Sequence, residues 1–244
     1  MSKLYEAKNH ILIRPDYGDP APHRHMAAHI IVSLNGNICV EAEGTPFLCP
    51  GVVLPSGVLH KIDTRDNPVL VFLFDGTTAV AHQAKKIRTL SESDRDEIAK
   101  FYHRFETTSE NFLFHGFVEK VLSVLDLPGS DCCVNDDRIK TAMGSIRFFM
   151  TEKTTCKDIA QTVHLSQSRF SHLFHQETGM TFAAYLIYQR IVYAYKQILS
   201  GKSITEAALE AGFSSSAHFS DVNHRIFGLS ARTIAKNLSF RNMT

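Results

Sequence analysis

The sequence predicts an α+β chain, with a β-rich N-terminal half and an all-α C-terminal half. Three observations predict it. Residues 10–75 hold short apolar runs separated by Gly, Pro and Asn, the pattern of a small sandwich or barrel. Beyond Gly76 the apolar spacing lengthens to the period of a helix. The helical half also contains an internal repeat, residues 159–179 and 207–228. At 244 residues there is room for one large domain or two small ones. With 44% hydrophobic and 21% charged residues, the composition fills a core and excludes a disordered chain. The longest unbroken apolar run, Val69 to Phe74, is far too short to span a bilayer.

The N-terminal MSKLYEAKNH has no apolar stretch of the secretory kind, so no signal peptide is expected. Five cysteines with no C-x-x-C spacing are expected to be reduced thiols, and the location cytoplasmic. The net charge of +1 hides an asymmetry: residues 136–244 carry +5 and residues 1–135 carry −4. A basic half beside an acidic one points to a nucleic-acid partner on one side.

Taken in order, His29–Leu34 and Ile38–Val40 read as strands, and Asn35-Gly36 between them predicts a hairpin. Ser91 and its neighbours supply N-cap candidates for a helix to about Phe105. A second helix from about Glu110 carries Phe114, Phe117, Val118, Val121, Leu122 and Leu125 on one stripe. That stripe covers the β-domain, forms a homodimer interface through residues 110–126, or does both. Leu127-Pro-Gly-Ser-Asp breaks the helix, and the domain boundary is placed between Leu127 and Asn135. The expected layout is residues 1–80 as a sensing barrel, 81–134 as a helical dimerisation or linker segment, and 135–244 as a DNA-binding domain. A further stripe (Ile139, Ala142, Met143, Ile146, Phe149, Met150) opens the last part, with Asp136 and Asp137 where a helix N-terminus favours negative charge.

Each copy of the repeat has the logic of a helix-turn-helix. A small residue, Ala160 or Ala208, lets a second helix approach. Four residues later a positive φ is expected, at His164 and Gly212. Ser166 and Ser214 are then read as the N-caps of the second helices. Those helices bury Phe170, Leu173 and Phe174 in one copy, and Phe219 and Val222 in the other. Their opposite faces present Gln167, Ser168, Arg169, Ser171, His172 and His175, and Ser216, Ala217, Ser220, Asp221 and His224. Most of these groups are small or hydrogen-bonding, as a helix in the major groove needs. A joining helix from about Phe182 to Leu199 could hold two reading heads about one DNA turn apart. Candidate phosphate contacts are Lys157, Arg169, Arg190, Lys202, Arg225 and Arg232, with Arg190 alternatively paired inside the fold.

Residues 139 to about 234 resemble the AraC/XylS family of bacterial transcription regulators. The marks are Asp158-Ile-Ala, Leu165-Ser166, Phe170-Ser-x-Leu-Phe174, Gly179-Met-Thr-Phe, Tyr185-Leu186, Arg190, Ala194, Ile204, Ala211-Gly-Phe-Ser214, His218-Phe219-Ser220 and Phe227-Gly-Leu-Ser230. The chain departs from the family pattern at Ala231 (usually Pro), at Ile234-Ala235 (usually an aromatic, then Arg), at Asp221 (usually basic) and at Asn223 (usually aromatic). Asp221 near phosphate would weaken the second head, although a carboxylate can accept from cytosine N4. The first head is therefore expected to dominate. The resemblance implies a DNA-binding regulator and favours activation over repression.

The N-terminal half resembles the small barrel called a cupin. Its first metal motif is matched by His23-Arg-His25, His29 and Gly36, with His29 in place of the usual Glu, and its second by Pro55-Ser-Gly57-Val-Leu-His60. His23 and His25 alternate along an expected strand and share a side, as does His29 if the strand stays regular. His23, His25, His29 and His60 could therefore hold one Zn, Ni, Cu or Fe ion, or line a pocket for a small organic effector. Cys39 and Cys49 flank the same region as buried apolar residues or, less simply, as thiolate ligands.

Three functions follow. The first is a sequence-specific DNA-binding regulator, not an enzyme, that senses a small molecule or metal. The second is a cupin metalloenzyme with an appended helical domain, for which the only nearby acid/base candidates are Glu41 and Glu43. The third is a regulator that has lost DNA binding, motivated by Asp221 and Asn223.

Overall fold

The computed structural model describes residues 2–7, 9–15, 20–24, 26–107, 112–149 and 155–242. The chain forms two compact units, Met1–Cys132 with Asn237–Thr244, and Cys133–Lys236.

The first unit contains β1 (Ser2–Glu6), β2 (His10–Arg14), β3 (Ala28–Ser33), β4 (Ile38–Ala42), β5 (Thr45–Cys49), β6 (Gly51–Leu54), β7 (His60–Asp63), β8 (Val69–Phe74), α1 (Ala79–Gln83), β9 (Arg88–Thr89), α2 (Glu92–Thr107), α3 (Phe112–Val124) and, from the far end of the chain, β10 (Leu238–Asn242). The strands make one sheet in the order β10-β1-β2-β8-β3-β6-β9 and a second in the order β5-β4-β7. The expected barrel is thus two described sheets, joined by no ladder that would close them.

The apolar run Val69–Phe74 becomes β8, and its unbroken character has a cause. The centre of the large sheet, at β3, β6 and β8, is buried on both faces. On one face Leu12, Ile30, Val32, Leu70, Phe72 and Phe74 pack with Ile98, Tyr102 and Phe105 of α2 and with the α3 stripe. On the other, Ile31, Val52, Leu54 and Val69 meet Ile38, Val40, Ala42 and Ile62 of the small sheet. Strand β3 therefore has no solvent side, and all six of its residues are buried.

The predicted hairpin at Asn35-Gly36 does not form. Gly36 does turn the chain with φ +65°, and a Cβ there would meet Asn67 at 3.2 Å. But β3 is paired on both edges, with β6 and with β8, so no edge remains for β4. Instead β4 pairs with β5 and β7. The true hairpin is β4–β5, where Glu43 and Gly44 have φ of 48° and 80° and Ala42 faces Thr45. Two residues at positive φ are the turn that suits the strand twist.

Helix α2 starts as expected: Ser91 Oγ accepts from the Asp94 N–H, and Asp94 accepts from the Ser91 N–H. The α3 stripe covers the β-structure, the first of the two readings. Phe114, Phe117, Val118, Val121, Leu122 and Leu125 are all at most 4% exposed and lie in the core of their own unit. They pack against the sheet and α2. The helical segment of residues 81–134 is likewise no separate domain up to Cys132; it belongs with the strands.

The C-terminal end differs too. Residues 238–242 do not stay with the helical half; they run parallel to β1, Ser2 facing Leu238 and Glu6 facing Asn242.

Two buried titratable groups sit in the first unit. His10 is 5% exposed, stacks on Phe74 and Phe114, and leaves Nε2 without a hydrogen-bond partner. Burial pulls its pKa down to about 4. Asp75 accepts from the Thr77 N–H at 2.8 Å and from the Thr77 hydroxyl, and burial pushes its carboxyl up to about 6.

The second unit contains α4 (Asp137–Phe149), α5 (Cys156–Thr162), α6 (Gln167–Thr178), α7 (Phe182–Leu199), α8 (Ile204–Glu210), α9 (Ser216–Phe227) and α10 (Ala231–Asn237), the last residue of α10 counting with the first unit. Ile139, Ala142 and Ile146 bury the α4 stripe, and Asp136 accepts from the Arg138 N–H at the helix start. Met150 lies outside the described residues, as does the side chain of Phe149.

Candidate nucleic-acid interface

The two copies of the repeat fold alike, for reasons visible in their caps. Helices α5 and α8 each begin with a reciprocal capping box, Thr155 with Asp158 and Ser203 with Glu206. Ala160 and Ala208 are 1% and 0% exposed, small enough for the second helix to approach. His164 and Gly212 then turn with φ of 55° and 79°. The Leu165 N–H donates to Ala160 O at 2.9 Å, and the Phe213 N–H donates to Ala208 O at 3.0 Å. Up to that point the copies are 48 residues apart.

After it they are 49 apart. Ser166 caps α6 by accepting from the Arg169 N–H. The equivalent cap of α9 is Ser215, which accepts from the His218 N–H at 3.0 Å. Ser214, expected to be that cap, is the inserted residue, and its Oγ lies 3.0 Å from His218 Nδ1. Both reading helices end on a left-handed glycine, Gly179 with φ 70° and Gly228 with φ 65°. Between them α7 runs for 18 residues, about 27 Å of helix.

The buried faces are as expected. Phe170 and Phe174 are fully buried and touch Phe182, with ring centroids 5.2 and 5.4 Å apart. Phe219 packs on Phe213 and Tyr195. On the outward side of α6, Gln167, Ser168, Arg169, Ser171, His172 and His175 are exposed. On α9, Ala217, His218, Ser220, Asp221, His224 and Arg225 are exposed and Ser216 is half-buried. Ser171 is already engaged, its Oγ 3.3 Å from Cys156 Sγ. His218 and Arg225 were not among the base-reading candidates. The shifted cap register, which puts His218 at the place of Arg169, would have found the first.

The phosphate candidates separate into two groups. Lys157, Arg169, Arg225 and Arg232 are exposed. Lys202 pairs with Glu210 at 2.5 Å, and Arg190 is half-buried, which lowers its pKa.

Asn223 is not a damaged reading residue. It is fully buried, accepts from the Tyr195 hydroxyl at 2.6 Å, and donates through Nδ2 to Leu229 O at 2.8 Å. It ties α7, α9 and the following turn together where the family places an aromatic. Asn223→Leu should therefore destabilise this unit by about 1–3 kcal/mol in thermal unfolding, and Asn223→Leu/Tyr195→Phe by less than the two changes added.

In the first unit, three of the four candidate histidines come together. His23 and His60 bridge through their backbones, each N–H donating to the other's carbonyl at 3.0 Å. Their rings lie 4.5 Å apart, and His29 lies 5.0 Å from His60. All three are at most 7% exposed. His23 and His60 bond through Nδ1 to Ala21 O at 2.7 Å and Val58 O at 2.9 Å. Burial and the neighbouring imidazoles hold His29 well below the usual histidine range. Among the described residues no group of three or more His, Cys, Asp or Glu side chains is arranged to hold a metal ion. His25 lies outside the described residues. Glu41 is exposed on the small sheet, and Glu43 accepts from the Leu59 N–H. Burial pushes the Cys49 thiol up to about 11, away from thiolate chemistry.

The family described as a helix-turn-helix domain matches residues 159–237. Over 70 residues, 28% of this chain and 26% of the relative, the sequence is 37% identical to the virulence regulon transcriptional activator VirF of Yersinia enterocolitica. The thermoregulatory protein LcrF of Yersinia pestis matches over the same length at the same identity. Residues 159–237 are a helix-turn-helix domain of the AraC type. The matched part spans about a quarter of those curated relatives (26% of each). Over nearly the whole length the fold is that of ToxT from Vibrio cholerae. The apo K231A structure has a TM-score of 0.61 at 15% identity, over 98% of this chain and 97% of that one. The wild-type ToxT structure bound to an unsaturated fatty acid has a TM-score of 0.57 at 15% identity, over 98% and 95%. No described helix is long and apolar enough to cross a membrane.

Proposed function

We propose that this protein is a sequence-specific DNA-binding transcription regulator, an activator as in the Yersinia relative, whose first unit takes a small effector. The observation that carries the reading is the tandem pair of capped helix-turn-helix copies, joined by α7, with polar outward faces on α6 and α9. On this reading Gln167, Ser168 and His172 reach base edges, while Lys157, Arg169, Arg225 and Arg232 hold phosphates. The enzyme reading finds no support in Glu41, which is exposed, or in Glu43, which accepts from the Leu59 N–H. Arg169→Ala tests the assignment. Titrating binding to duplex DNA against salt should show the affinity lowered for every sequence and the log–log slope reduced by about one. An unchanged slope would remove Arg169 from the interface.

The three buried histidines support a second reading, of the sensor. The structure of ToxT with a fatty acid makes an organic effector the simpler ligand. The metal reading needs more than the described trio, which alone is not a ligand set; His25 would have to complete it. With it, four neutral imidazoles would suit Zn, Ni, Cu or Fe. Elemental mass spectrometry of the purified protein decides: one equivalent in the wild type and none in His23→Ala/His60→Ala would establish a metal, and none in either would leave pocket walls.

A further inference from the structure

The second reading head carries Asp221 where a basic residue would help, yet it has gained something the first head lacks. The one inserted residue between the copies, Ser214, sits with its Oγ 3.0 Å from His218 Nδ1. The ring of His218 also packs edge-on against Phe213, with centroids 5.5 Å apart and an interplanar angle of 81°. Phe213 is itself 4% exposed and rests on Phe219, so it is a fixed wall. The imidazole is thus held at one nitrogen and along one side, while the residue as a whole is exposed. In the register set by the caps, it stands where the first copy has the exposed Arg169.

We propose that Ser214 and His218 form a pre-oriented phosphate clamp through which α9 docks on the DNA backbone. When the Ser214 hydroxyl donates to Nδ1, the ring proton resides on Nε2, which then donates to a phosphate oxygen. A donor held before contact loses less side-chain freedom on binding than a free lysine would. The clamp compensates for Asp221, whose carboxylate lies three residues on, one helical turn further along α9. The inference rests on the DNA-binding reading above, and it adds a backbone anchor to the second head, whose base-reading candidates Ala217, Ser220 and Asp221 stay exposed.

A phosphate contact is independent of sequence, so the test needs no operator. The probe is a fluorescein-labelled duplex of about 30 random base pairs, long enough for both heads, at about 50 mM salt. The full-length wild type, Arg169→Ala, His218→Ala, Ser214→Ala, Ser214→Ala/His218→Ala and His218→Arg are titrated by fluorescence anisotropy, with circular dichroism melts alongside. His218→Ala should weaken binding about five- to tenfold, and Ser214→Ala about threefold with the ring and its packing kept. The double variant should be no weaker than His218→Ala, and His218→Arg should restore affinity with a salt slope steeper by about one. Wild-type affinity in His218→Ala, with Arg169→Ala impaired, would overturn the clamp alone. So would a Ser214→Ala loss of equal size whether residue 218 is His or Ala. No binding by the wild type would overturn the DNA-binding reading and the clamp with it.

Discussion

Phe174→Ala is expected to destabilise the C-terminal unit by about 3–5 kcal/mol, the largest effect of any single substitution proposed. Phe174 is fully buried and touches the rings of Phe170, Phe182 and Tyr185, at centroid distances of 5.7, 5.4 and 5.4 Å. It joins α6 to the start of α7. Truncation removes the apolar area and leaves a cavity whose other walls are aromatic and held by two capped helices, so collapse would be partial. DNA binding should weaken with it, because Phe174 is one of the three buried apolar side chains, with Phe170 and Leu173, that seat α6. Chemical denaturation followed by circular dichroism checks this. A loss under 1 kcal/mol would mean that the aromatic cluster is not the core of the reading unit.

The second large effect is acid lability of the N-terminal unit through His10. Its ordinary pKa of 6.5 falls to about 4 in the folded state, first through burial and then through His115. Below pH 6.5 the unfolded chain takes up a proton that the folded chain refuses. Stability is therefore fully present above 6.5 and is lost as pH falls toward about 4, by on the order of 3 kcal/mol in all. Asp75 acts in the opposite direction. Its raised pKa stabilises below 3.8 and gives that up as pH rises through about 6, so the raw pH profile mixes both. Subtracting the profile of His10→Phe isolates the histidine. The phenyl ring would stack on Phe74 and Phe114 without a buried nitrogen. The difference curve should slope between pH 6.5 and 4; a flat one would show that His10 titrates normally in the fold.

What was legible in the sequence was local. Ser166, Gly179 and Gly228 mark helix ends by interactions within four residues, and the positive φ at His164 follows from its alignment with Gly212. What was not legible was non-local. Asn35-Gly36 is a sound turn signal, but a turn cannot say that β8, some forty residues on, has already taken the edge of β3. The α3 stripe has one periodicity for a core or a dimer; only the sheet beneath it decides. A single extra serine shifted the α9 cap by one residue, because Ser214 and Ser215 are chemically equal candidates and the backbone chose the second. Asn223 read as a lost aromatic because its partner, the Tyr195 hydroxyl, is 28 residues away. The histidine motif did bring His23, His29 and His60 together, although His23 arrives by an isolated bridge and not along a strand.

If two reading heads in one unit recognise DNA sequence together, the full-length protein should select particular duplexes from a randomised pool. The enriched site should hold two short motifs about one helical turn apart, 10–10.5 base pairs centre to centre. Gln167→Ala should relax one motif by about 1–3 kcal/mol, leaving the other in place. A pool that stays random after repeated rounds, with the protein folded by circular dichroism, would contradict it.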